Sequence, residues 1–370
     1  MRCHRLTFSL FALLFMGGCQ SIGFYTQATV GQSALLWHSR PISKVIADPQ
    51  TPIELRDRLV VVESIRGYGE KTLALPSGHS YQRYTDIGRD YVMWNVVAAA
   101  EFSVEPELFC HPVVGCVAYQ GYFNQADALA FADRLASQGL ETTVAPVAAY
   151  STLGWLPDPL LSSVLDYPDA DLAALVFHEL AHERFYLVNE TTFNESFATF
   201  VAREGTRRWL VDTNRHVDVL HFEKSESQRD ALVALIRKTR CALAVLYAGN
   251  LSDGDKRSQK KTLIDQLRAD YEQMRQAGMV SNWGNWFDKD LNNAKLVSIG
   301  SYYDQVGLFA QLFEEARGDF GVFYEQVEQL GDESGRTREP RRLCADRRST
   351  RPVIFGRSGP GTPVMHSGFC

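Results

Sequence analysis

The chain lacks an apolar run of membrane-spanning length. The stretch Leu6 to Met16 falls well short of the roughly 20 residues a crossing helix needs. Positive charge is not in excess either. Lys and Arg number 38 against 44 Asp and Glu, a formal net charge of −6, which argues against a general nucleic-acid binder. No internal repeat is visible. Cysteine is sparse at seven in 370 residues. What remains is the composition of an ordinary globular protein, long enough for one large domain or two smaller ones.

One stretch organises the rest: His178-Glu179-Leu180-Ala181-His182, an HExxH pattern, with Glu195 following. Residues four apart lie on one helix face, so His178 and His182 present two imidazoles side by side. That is zinc geometry, with Glu179 placed as a general base. Pro168, Asp169 and Asp171 mark the helix start. Leu172, Leu175, Val176 and Phe177 make it apolar on most sides. Buried ionisable groups there need a partner or a metal. Chance would yield HExxH in roughly 0.01 of chains this long, so core packing alone is the weaker account.

A third ligand is needed. Phe185 and Val188 stand where the longer zinc motif has glycine and a third histidine, so a carboxylate must serve. Leu187 to Thr191 reads as a turn and Thr192 to Glu204 as a second helix. In an antiparallel pair, His182 and Glu195 lie at similar distances from that turn and face each other. Glu183 and Glu190 compete less well: Glu183 points about 100° away, and Glu190 lies in the turn. Thr199 shares the face of Glu195, and its hydroxyl is a candidate hydrogen-bond partner for a ligand imidazole; a simply packed threonine is the alternative.

These residues, with Asn194-Glu195-Ser196-Phe197-Ala198-Thr199 and the preceding Ala149-Tyr150-Ser151-Thr152-Leu153-Gly154-Trp155, resemble a family of bacterial lipoproteins named as aminopeptidases. The likeness covers roughly residues 19 to 330. The family is similar to gluzincin metallopeptidases, and the resemblance implies Zn2+ and peptide hydrolysis. The Gly-x-Met-Glu-Asn segment that grips the substrate amine in well-known gluzincin aminopeptidases is missing. The expected fold is α+β and mainly helical, with a small sheet packed beside a zinc-binding helix pair.

At the N-terminus, Arg2 and Arg5 precede the apolar run, and Met16-Gly17-Gly18-Cys19 reads as a lipobox. Residues 1–18 are then a lipoprotein signal peptide. Cys19 carries the lipid, and Gln20 after it suits an outer-membrane lipoprotein facing the periplasm. Met at the first lipobox position departs from the usual Leu and leaves ordinary cleavage as the alternative.

Helices are expected over Gln27 to Trp37 and from Thr51 through Ile65, with a capping box at the start of the second. Tyr91 to Val97, Gly115 to Tyr119 and Glu141 to Tyr150 read as strands, and Asn124 to Gln138 as a capped helix. Thr143 to Thr152 is the candidate substrate-binding strand; an ordinary internal strand is the alternative. Cys110 and Cys116 are placed to close a short disulfide loop in an oxidising envelope. Further helices are expected over Arg215 to Tyr247, Lys261 to Gln276 and Tyr302 to Arg317, with a polar turn at Leu251 to Arg257. Tyr302 or Tyr303 is the candidate oxyanion donor; aromatic packing is the alternative. Residues 331–370 carry eight arginines against four acids, 8 − 4 = +4, and read as a disordered basic tail. The zinc metallopeptidase domain is thus placed at 19–330.

Overall fold

The computed structural model describes residues 23–336, apart from 77, 113, 282, 284, 285, 288 and 289. The expected signal peptide over residues 1–18, Cys19 and residues 337–370 lie outside the described residues.

The architecture is α+β and mainly helical. Helix α1 covers residues 23–37. Strand β1 (Arg40–Pro41), α2 (Ile42–Ala47) and α3 (Ile53–Thr72) follow. Helix α3 runs two turns past the end expected at Ile65, because Ile65 and Gly69 continue its buried stripe against the core. Next come β2 (Arg83–Thr85), β3 (Met93–Ala100), β4 (Phe109–His111), β5 (Gly115–Val117) and β6 (Gln120–Tyr122). Helix α4 (Gln125–Ser137) starts at Asn124, whose side chain accepts from the N–H groups of Ala126 and Asp127. Strands β7 (Leu140–Val147) and β8 (Leu160–Leu161) precede a one-turn 3-10 helix at Ser162–Val164.

Three small sheets form. β1-β2-β8 is mixed, β6-β3-β7 is antiparallel with β7 at one edge, and β4-β5 is a hairpin. Pro146 sits in β7, which an edge strand tolerates because the missing N–H can face outward.

Two buried helices follow, α5 (Asp169–Arg184) and α6 (Thr191–Asp212). Pro168 opens α5, and Asp169 in its first turn meets Arg58 and Arg215. Helix α6 exceeds the expected end at Glu204, since Trp209 and Leu210 still pack inward. Then come α7 (His216–Ala248), α8 (Asp253–Gln276), α9 (Asn293–Tyr303), α10 (Val306–Glu315) and α11 (Phe320–Arg336). Two expectations are corrected here. The polar turn at Leu251 to Arg257 is mostly helix: Ser252 caps α8 through the Asp255 N–H, so Asp253 and Asp255 form its first turn. Tyr302 and Tyr303 end one helix rather than start the next, because the chain breaks at Asp304 and Gln305. The boundary expected at residue 330 falls inside α11, whose buried Phe323, Tyr324 and Val327 tie it to the core.

The main core joins α3, α5, α6, α10 and α11 through residues such as Phe177, Phe197, Trp209, Phe309 and Phe323. A second core lies between α7, α8 and α9. The β6-β3-β7 sheet packs α4 on one face through Val96, Ala128 and Ala132. Val97 and Ala99 turn the other way, onto Ala294 and Val297 of α9. Helix α9 also packs on α6, so it ties the sheet to the paired helices.

Candidate metal centre

Helices α5 and α6 form the most extensive helix–helix contact in the fold. The turn between them is pinned by the second helix. Asn194 accepts from the Leu187 N–H at 2.8 Å, and its amide donates to the Leu187 carbonyl at 2.8 Å. Asn189 holds a left-handed φ of +70°, which asparagine tolerates well. That clamp sets the depth at which the next residue, Glu195, faces α5.

His178, His182 and Glu195 meet there, all buried, with their candidate ligand atoms within 4.8 Å of one another. His178 Nε2 lies 3.2 Å from His182 Nε2. Glu195 Oε2 lies 3.3 Å from His178 Nε2 and 3.5 Å from His182 Nε2. A tetrahedral ion with bonds of about 2.0–2.1 Å sets its ligands roughly 3.3–3.4 Å apart, so this triangle has the edges of such a shell. Two imidazoles and one carboxylate are also borderline donors suited to zinc. The three residues fit a metal ion.

The charges agree with that fit. Burial alone would push the Glu195 carboxyl up, but the two imidazoles outweigh it and hold it at about 2. Burial pushes the His178 imidazole down. At His182 the Glu195 carboxylate overcomes burial and raises it, with Glu179 adding to the effect. Glu179 is fully buried on the same helix, within electrostatic reach of this ring. Thr199 is buried one turn beyond Glu195; among the described residues its hydroxyl bonds to neither imidazole. Glu190 is exposed, and Glu183 turns aside to Gly78 and Gly154.

Tyr302 and Tyr303 separate. The Tyr302 ring lies 6.2 Å from the His178 ring at 29°. Tyr303 instead lies within electrostatic reach of Arg229, Glu226, Arg203 and Asp230. The end of α9 is fixed from two sides. The Gln305 N–H donates to Ser196 Oγ at 3.2 Å, one residue from Glu195. Arg240 crosses Gly300 to pair with Asp304 at 2.8 Å, and a Cβ at Gly300 would strike its guanidinium.

Cys110 and Cys116 are disulfide-bonded across the β4-β5 hairpin. This hairpin lies on the α5–α6 turn. The Cys116 N–H donates to Asn189 Oδ1 at 2.7 Å, the Ala118 N–H to Thr191 Oγ1 at 3.2 Å, and the Tyr186 hydroxyl to the Val114 carbonyl at 3.1 Å. The next residue, Tyr119, places its hydroxyl 3.5 Å from Glu195 Oε1, the oxygen turned away from the histidines. Neither the motif nor its spacing points to Tyr119, since only the docked hairpin delivers it.

A family model described as "Putative aminopeptidase" matches residues 23–342. The chain belongs to this family. No curated protein and no solved structure matches the chain. The family match extends past residue 330 and includes all of α11, twelve residues further than the expected likeness (342 − 330). The family description agrees with peptidase chemistry at a site where buried donors converge.

Proposed function

We propose that the protein is a zinc-dependent peptidase, with an aminopeptidase as the favoured specificity. The observation that carries this reading is the buried triangle of His178, His182 and Glu195 with Glu179 on the same helix, in a chain of an aminopeptidase family. Three protein donors leave a fourth position for water or substrate, whereas a purely structural zinc site normally fills all four.

Zinc bound by the triangle would lower the pKa of a coordinated water and polarise the scissile carbonyl. Glu179 takes the proton from the attacking water and passes it to the leaving amine. The Tyr302 hydroxyl, on the ring beside His178, donates to the developing oxyanion. Tyr303 has no part in this step, because its surroundings are the paired charges of α6 and α7. The substrate backbone pairs with the outer edge of β7. Thr142, Val144 and Pro146 alternate away from β3, and Asn292 already occupies the Thr142 carbonyl at 2.9 Å. Val144 is therefore the residue left to offer both an N–H and a carbonyl. Cleavage takes place in the envelope, with the chain held at the outer membrane by lipid on Cys19.

The test is a digest of matched peptides, free and N-acetylated, by the zinc-loaded protein. Release of N-terminal residues from free peptides alone supports an aminopeptidase. Equal cleavage of both sets makes it an endopeptidase, and no cleavage of either turns the reading towards a non-peptide amide.

A further inference from the structure

Helix α1 departs from the rest of the chain in charge. Residues 20–37 contain no Asp, Glu, Lys or Arg, where the overall charged content of 22% would place about four. No acid occurs before Asp48; Arg40 and Lys44 are the charged residues between, and both are exposed.

One face of α1 is occupied. Phe24 stacks with His111 and meets Tyr122 edge-on. Gln27 bonds to the Gly121 carbonyl and the Phe123 N–H. Gly31 admits the Phe123 ring so closely that a Cβ would lie 2.3 Å from it. Leu35 packs on Val92 and Leu161. The helix is thus fixed to the β6 side of the sheet. Its opposite face, Thr26, Val30, Ser33, Ala34 and Trp37, points outward. Val30 is 63% exposed and Trp37 87%. A charge-free outward stripe ending in a bare tryptophan is unsuited to bulk water and suited to the headgroup boundary of a bilayer, where tryptophan concentrates.

We infer that the outward face of α1 lies on the lipid surface and sets the orientation of the whole domain on the membrane. The inference rests on the anchor reading of Cys19. Three residues lie between Cys19 and Gly23, so the four Cα–Cα steps span at most about 14 Å when extended. Lipid on Cys19 therefore holds α1 against the bilayer. Arg40 and Lys44, just past Trp37, meet the phosphates. A free-floating domain on a long tether would have no use for such a face.

The test reconstitutes the mature full-length protein into vesicles of phosphatidylethanolamine and phosphatidylglycerol, with and without brominated acyl chains. Trp37 emission is obtained by subtracting the spectrum of Trp37→Phe. The expected result is at least a twofold loss of Trp37 emission in brominated vesicles. The loss should disappear in Val30→Glu/Ala34→Glu, and Trp155, 72% exposed on another loop, should stay unquenched. Protein that floats with vesicles while its Trp37 stays unquenched overturns this inference and leaves the anchor intact. Protein that does not float at all overturns both. Trp37 emission that shifts with protein concentration in the absence of lipid assigns the face to a second copy and overturns the lipid reading as well.

Discussion

Helix α6 meets two charge clusters, one buried and one partly exposed, and they differ in how they are balanced. At one end, Glu195 faces two imidazoles whose nitrogens converge at 3.2 Å. Two turns on, Arg203 pairs with Glu226 at 2.6 Å and with both oxygens of Asp230, and Arg229 pairs with Glu226 from the other side. Two cations and two acids close the second cluster without help; partial burial pulls the half-buried Arg203 guanidinium down, and Glu226 and Asp230 outweigh it and raise it. The first has one carboxylate and two rings that cannot both be protonated at such range without strong repulsion, and its three donors could hold a metal ion. Adjacent tyrosines mark the contrast, Tyr302 by the first cluster and Tyr303 by the second. Burial alone is therefore a poor sign of function here; an unclosed balance of donors is the better one.

Several substitutions would break or sharpen that contrast. Glu179→Gln should keep its zinc and lose turnover by at least about 10³-fold, since only proton transfer is removed. Glu195→Ala should lose both zinc and activity, because an oxygen donor goes. Zinc analysis beside peptide hydrolysis checks both. Full zinc occupancy in Glu195→Ala would place the ligand elsewhere.

Arg203→Met, in the closed cluster, should do the reverse. It removes one of the two guanidinium partners of Glu226 and the partner of the half-exposed Asp230, and should destabilise by about 1–2 kcal/mol while zinc content stays intact. Denaturant unfolding of the zinc-free protein gives the first quantity. An unchanged midpoint would mean that the cluster is too well solvated to matter.

The two tyrosines should split in the same way. Tyr302→Phe is expected to lower kcat about 10²-fold with little change in Tm, the size seen when one oxyanion donor is removed. Tyr303→Phe should leave kcat near the wild-type value. Equal kcat losses would erase the distinction.

Tyr119→Phe probes how Glu195 is held. Loss of the hydroxyl beside Oε1 should weaken zinc about tenfold in chelator competition. An unchanged affinity would make the contact incidental.

The smallest effect concerns Asp158, a buried carboxylate that no cation pairs with among the described residues. Burial pushes it up to about 6, with Glu183 adding to the rise, although it accepts bonds from the Thr152 N–H and hydroxyl. A folded pKa above the unfolded 3.8 means the contribution is complete below about pH 4 and is lost as pH rises through 6. Tm should drop by a few degrees over that window, and Asp158→Asn should flatten the drop. A steeper fall in the variant would contradict the direction of the shift. Glu195, equally buried but held at about 2 by its imidazoles, shows what neighbouring groups do to the same burial.

Much of the centre was legible in the sequence because its rule is local. A spacing of four puts His178 and His182 on one face whatever surrounds the helix. The depth of Glu195 followed from counting residues either side of a turn. The motif alone gives Asn194 no role; in the fold it is the clamp that makes the count work. Helices α3 and α6 run past the expected ends at Ile65 and Glu204, since side-chain burial by distant elements prolongs them.

The sequence by itself determined the helix face shared by His178 and His182 and the disulfide hairpin, because each depends on residues within one or two helical turns or a short loop. Tertiary structure decided the rest. Tyr119 reaches Glu195 from 76 residues away only through the docking of a hairpin on a turn. Tyr302, not Tyr303, faces His178 because Arg240 and Ser196 fix the end of α9 at one rotation. Adjacent helical residues differ by about 100° in direction, and nothing local specifies which of the two will meet the metal centre.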